Sequence, residues 1–216
     1  MPKRRRGPSL SKRRAIFDAA RRLFLERGFA GTTIEDVAAA AGVSKQTIYT
    51  QFTDKETLFT ALVTADVGRP DEPEHPLVDT MPHTDDLERD LREFARLHLA
   101  LVMTPELLRL RRMLIGEAER FPQLARAWYD SGPERSCRMF KRWFTALTRR
   151  GLLNTPDPGL AAQTFNWLVL SIPLNKAMAV ATEEPLYTPA ELDAFADEAV
   201  RVFLAAYGRA DQAAAP

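Results

Sequence analysis

A chain of 216 residues, 45% hydrophobic and 27% charged, is long enough to bury a substantial core and leaves room for a small head and a larger body. The single cysteine, Cys137, excludes an intramolecular disulfide framework, and no apolar run suits a signal peptide or a membrane span, so the expected location is the cytoplasm. The net charge of +1 hides a split: residues 1–67 carry 12 Lys or Arg against 7 Asp or Glu, whereas residues 68–216 carry 18 against 22.

Nine of the N-terminal cations lie in the first 22 residues. Residues 1–10 therefore read as a basic arm, too polar to build a core but able to displace counterions from phosphates or lie in a minor groove. Ile16, Ala20, Leu23 and Phe24 then share one face of a predicted helix that exits at Gly28-Phe29. Thr32 and Glu35 have the spacing of a capping box, and Ile34, Val37, Ala38 and Ala41 continue as a short helix that Gly42 closes. Val43 is the apolar wedge of a three-residue turn, and Ser44 is a preferred cap for the next helix. That helix turns Ile48 and Phe52 inward and offers Lys45, Gln46, Thr47, Tyr49 and Thr50 outward. A cation, an amide, hydroxyls and a phenol on one short surface suit phosphates and base edges. Thr53 and Glu56 repeat the capping-box spacing before a longer helix carrying Leu58, Phe59, Leu62 and Val63, with Lys55 in its first turn as an expected phosphate anchor.

Gly42-Val43-Ser44-Lys45, then Ile48-Tyr49, Phe52 and Asp54-Lys55-Glu56-x-Leu58-Phe59 resemble the signature of the TetR/AcrR family of transcriptional regulators. The resemblance runs over about residues 11–67. It implies a helix-turn-helix domain in which Lys45 and Gln46 meet base edges or adjoining phosphates, while Thr33, Ser44, Thr47, Tyr49 and Lys55 meet the DNA backbone and Thr50 belongs to the same DNA-binding surface.

Residues 68–84, rich in prolines and acids, show no helical stripe and read as a linker; Pro-rich backbone does not set His75 and its acidic neighbours at metal-ligand geometry. From Asp85 a helical body is expected to residue 208, followed by a tail over 209–216. Leu87, Leu91, Phe94, His98 and Leu101 form one stripe, so His98 faces inward, either as a hydrogen-bonded core histidine or as a polar contact for a ligand. Thr104-Pro105 opens a helix through Leu107, Leu110 and Leu114, and breaks follow at Phe121-Pro122 and Gly132-Pro133. Phe140, Trp143 and Phe144 suit either a packed core or the wall of a ligand cavity. Asp157-Pro158 begins a helix without charge over residues 159–175, which is expected to be buried on every side. Thr188-Pro189-x-Glu191 starts the last helix, with Leu192, Phe195, Ala196, Ala199, Val202, Phe203 and Ala206 as its stripe.

The fold class is therefore all-α. Glu117-Ala118-x-Arg120-Phe121-Pro122-Gln123-Leu124-Ala125 and Gly132-Pro133-Glu134-Arg135 further resemble the C-terminal domain of AefR-like members of the family. The resemblance implies a homodimer formed by the last two helices as a four-helix bundle. DNA recognition asks for a dimer independently, since one helix reads few base pairs and two heads roughly 34 Å apart read a palindrome. The expected function is a repressor released from a palindromic operator in double-stranded DNA by a small apolar effector, with His98, Phe140, Phe144 and Trp167 as candidate effector contacts. The helix from Thr53 to Val67 is the expected lever. Competing readings are a ligand-dependent activator and a helical ligand-binding module without operator specificity. An enzyme is disfavoured: no phosphate loop, His-Glu-x-x-His, Gly-x-Ser-x-Gly or paired-cysteine motif occurs, and neither a metal nor a cofactor is called for.

Overall fold

In a computed structural model, residues 10–66, 77–182 and 184–209 are described, so the expected basic arm and C-terminal tail, and the first part of the expected linker, lie outside the description apart from Leu10 and Arg209. Eleven α-helices are present among the described residues: α1 (Leu10–Arg27), α2 (Ile34–Ala41), α3 (Lys45–Tyr49), α4 (Lys55–Asp66), α5 (Leu77–Thr80), α6 (Leu87–Val102), α7 (Pro105–Glu117), α8 (Pro122–Ser131), α9 (Pro133–Arg149), α10 (Pro158–Ala179) and α11 (Pro189–Tyr207). None is long and apolar enough to cross a membrane. The chain divides into two compact units, one holding the N-terminal residues with Arg109–Ser131, the other holding the remainder. This division departs from a boundary drawn between residues 67 and 85, because the end of α7 and all of α8 pack with the N-terminal helices.

In the first unit, Ile16, Ala20, Leu23 and Phe24 of α1 are buried together with Ile34, Val37 and Ala38 of α2, Ile48 of α3 and Leu58, Phe59, Leu62 and Val63 of α4. Phe59 meets Phe24 and Phe29 edge-on, with ring centroids 5.1 and 5.3 Å apart. Phe121 closes on Phe29 at 4.7 Å. Such offset and edge-on pairs match positive ring edges to negative faces.

The second unit has its core among α6, α9, α10 and α11. Phe140 sits at its centre, edge-on to Phe94 at 5.7 Å and to Phe165 at 5.2 Å, and Phe144 stacks near Phe203 at 4.8 Å. Part of the expected linker belongs to this core: Leu77–Thr80 is a helical turn, Met81–His83 a 3-10 turn, and Met81 is wholly buried. Trp143 Nε1 donates to Val78 O at 3.0 Å, and the Arg150 guanidinium donates to Pro82 O and Thr84 O. A segment too short for a periodic stripe is thus fixed by one apolar anchor and by donors from α9.

Three burial expectations fail: Ala206, placed in the stripe of α11, is exposed. Leu101 is 60% exposed, outside the buried stripe of α6. On α10 one face is buried through Ala161, Phe165, Val169, Leu170 and Leu174, but Leu160, Trp167 and Ile172 are exposed on the opposite side, so absence of charge does not mean burial all round.

Candidate nucleic-acid interface

The turn between α2 and α3 is set by its ends. Thr33, one residue later than expected, is the N-cap of α2: its Oγ1 accepts from Asp36 N at 3.1 Å, and Thr33 N donates to Asp36 Oδ2 at 3.1 Å. Thr32 does not cap because its hydroxyl is consumed inside, donating to Leu23 O and Gly28 O. The Thr33 hydroxyl holds the Asp36 carboxyl below its ordinary range. At the far end Gly42 adopts φ 63°, and Val43 N donates to Ala38 O at 3.0 Å, the left-handed closure that a Cβ would disfavour. Ser44 then caps α3, its Oγ accepting from Thr47 N at 3.1 Å. The only buried side chain of α3 is Ile48. Five residues form a helix here because caps and one apolar peg fix them.

On this frame the predicted residues separate by what their polar groups already do. Gln46 and Tyr49 project into solvent, Tyr49 with 49% of its surface exposed. Lys45 is also exposed, but its ammonium donates to Glu35 of α2, and that contact holds the Glu35 carboxyl below its ordinary value. Glu35 is a member of the surface that sequence reasoning missed; it was assigned to a cap that Asp36 in fact supplies. Thr47 is half-buried with its hydroxyl 2.9 Å from Ser44 Oγ, and Thr50 Oγ1 donates back to Gln46 O at 2.6 Å. Thr33, Ser44, Thr47 and Thr50 hold the turn, and Lys45, Gln46 and Tyr49 present chemistry to the outside.

Lys55 differs from the expectation of a free phosphate anchor. Its Nζ donates to Phe29 O at 2.7 Å and Thr32 O at 2.8 Å and lies 4.4 Å from the Phe29 ring centre, with burial lowering its pKa. The side chain satisfies the carbonyls of the α1–α2 connection, an attraction that helix-start reasoning does not see. The cap of α4 likewise falls on Asp54, whose carboxylate accepts from Thr57 N at 2.7 Å, rather than on Thr53.

The candidate effector contacts do not form one site. His98 is half-buried, its Nε2 3.2 Å from Asn166 Oδ1 and its ring between Phe94 and Phe140, the arrangement of a core histidine. Phe140 and Phe144 are core residues, whereas Trp167 faces outward. Cys137 is half-buried and burial raises its thiol pKa, which disfavours a reactive thiolate.

A short second helix capped at its start, held by one peg and turned outward with Lys45, Gln46 and Tyr49, defines a helix-turn-helix DNA-binding protein. Residues 16–62 match the profile of bacterial regulatory proteins of the tetR family, and residues 89–209 that of the AefR-like transcriptional repressor C-terminal domain. The chain belongs to the TetR family of bacterial transcriptional regulators, a family made up of DNA-binding regulators and not of enzymes. Ligand binding and dimerisation are typical of this family. A crystal structure of a regulator ascribed to the family from Mesorhizobium loti is similar with 40% identity and a TM-score of 0.84, over 94% of this chain and 100% of that one. The flavonoid-responsive regulator FrrA is similar at 32% identity and a TM-score of 0.73, over 92% and 98%. The HTH-type transcriptional repressor AcnR of Corynebacterium efficiens is 40% identical over 60 residues, 28% of this chain and 32% of AcnR, so that likeness spans about a third of the relative's length.

Proposed function

We propose that the protein is a dimeric, sequence-specific repressor that leaves a palindromic operator when a small ligand binds. The observation that carries this reading is the exposed trio Lys45, Gln46 and Tyr49 on a helix whose orientation is fixed by caps at Thr33, Gly42 and Ser44. Lys45 and Gln46 reach base edges or adjoining phosphates, with Lys45 exchanging Glu35 for its DNA partner, and Tyr49 meets the backbone. The hydroxyls of Thr33, Ser44, Thr47 and Thr50 lie at the same surface, and Lys55 serves by holding the turn. Dimerisation is supported by the outward face of α10, where Leu160, Trp167 and Ile172 are 58%, 44% and 61% exposed, an apolar surface that a second copy would cover. Ligand control is supported by similarity to FrrA, itself described as responsive to flavonoids. A ligand must bind two conformers unequally, and a coupling of about 1 to 3 kcal/mol changes operator affinity 5- to 150-fold. As a reader of bacterial operators, the protein works in the cytoplasm.

The test is selection of genomic fragments with the purified full chain at two salt concentrations. A single palindromic motif, retained less well at higher salt, supports the reading. Salt-sensitive retention without a shared motif would overturn it.

A further inference from the structure

Arg111 lies on α7 and Trp128 on α8, both within the unit that also holds α4. The Arg111 Cζ stands 4.8 Å above the Trp128 ring. A cation–π contact is an attraction of the charge to the ring and takes none of the guanidinium's five N–H donors as a hydrogen bond to an oxygen. Among the described residues no acceptor takes any of them in a hydrogen bond, and no carboxylate faces the group. Its neighbours in sequence, Arg109 and Arg112, both engage partners, so Arg111 is distinct on this helix. None of its nitrogens is sealed from the exterior, since no buried side-chain nitrogen or oxygen lacks a partner. One turn along α7, Leu114 is buried and Ile115 is 59% exposed, so the helix surface beside the cation is apolar. Partial burial without a counter-ion disfavours the charged guanidinium and lowers its pKa while the group stays protonated, and a cation–π contact alone returns only part of what desolvation costs.

From this geometry we infer that Arg111 is the anchor of an effector site that takes an organic acid, one carboxylate on an apolar body. The planar fork receives the carboxylate through two parallel N–H···O bonds, and the apolar body lies along the Trp128 edge and the Ile115 side of α7. This deepens the ligand-controlled reading above by naming the chemical class of the ligand.

Calorimetry on the full chain at fixed ionic strength tests it, with octanoate and 3-phenylpropionate each measured beside its neutral amide, and with inorganic phosphate as a plain anion. Both carboxylates should bind better than their amides, and Arg111→Gln should weaken them by about tenfold or more while leaving amide binding unchanged. Arg111→Lys, which keeps the charge but not the fork, should fall between. Unaltered helical content and melting temperature in both variants show that the fold is intact. Equal binding of acid and amide, equal loss of both in Arg111→Gln, tighter binding of inorganic phosphate than of the carboxylates, or no binding of either acid would overturn the inference. Because this assay contains no DNA, it separates the two claims. Carboxylate binding that leaves operator affinity unchanged would sink the release mechanism and spare the site; release of operator by neutral compounds alone would do the reverse.

Discussion

The helices α3 and α10 solve opposite problems. The first has five residues, one buried side chain and a position dictated by hydrogen bonds at its ends; the second has 22 residues and is held by burial along a whole face. What each leaves exposed is correspondingly opposite: Lys45, Gln46 and Tyr49 on α3, Leu160, Trp167 and Ile172 on α10. A polar surface on a cap-fixed helix can meet hydrated phosphates with little apolar area spent, while an apolar surface on a rigid helix suits a permanent partner. The lesson is that exposure acquires meaning only when read against what holds the element in place.

The largest effect should come from breaking the α10 face. Trp167→Asp with Ile172→Asp places charge on the surface proposed above to meet a second copy. Sedimentation should show monomers, and operator affinity should fall by about three orders of magnitude as one half-site is lost, while the helical content of each chain persists. A dimer that survives this change would remove α10 from the interface.

Next in size, Lys45→Ala should cost about 1 to 3 kcal/mol in operator binding, relaxing base discrimination if the lysine reads an edge and lowering the salt slope by about 1 if it meets a phosphate. Tyr49→Phe should cost about 1 kcal/mol through a lost hydrogen bond; unchanged affinity at matched salt would reject a phosphate contact for its hydroxyl.

Lys55→Gln distinguishes the two roles considered for that residue. A lysine holding the Phe29 and Thr32 carbonyls predicts a lower melting temperature with an unchanged salt slope; a phosphate anchor predicts the opposite pair of results. The smallest effect concerns acid stability. Glu35 titrates below its ordinary value of 4.5 in the folded chain, chiefly because Lys45 donates to it. Its contribution is therefore fully present above pH 4.5 and is lost as pH falls through the folded value, so unfolding curves of Glu35→Gln should converge on those of the unaltered chain in acid.

Much of the fold was legible because its signals are local. Gly42 at a helix end, Ser44 as a cap, Pro at the start of α8 through α11, and the Thr188–Glu191 box are each decided by chemistry within four residues. The same locality explains the errors. Thr32 and Thr33 have equivalent spacing to a following acid, and only the buried carbonyls of Leu23 and Gly28 decide which hydroxyl turns inward.

The sequence by itself determined that this is an all-α chain with a capped turn, a polar surface on the second helix of that turn, and helices enough for a large core, because hydrophobic period and backbone capping are properties of neighbouring residues. Tertiary structure alone decided that Lys45 meets Glu35, that Lys55 turns to the backbone of an earlier connection, that the Arg111 guanidinium lies over Trp128 with no carboxylate facing it among the described residues, and that one side of α10 stays exposed. Each of these depends on residues 10 to 26 positions apart, or on which surface no other helix covers, and no spacing rule along one element encodes such a pairing.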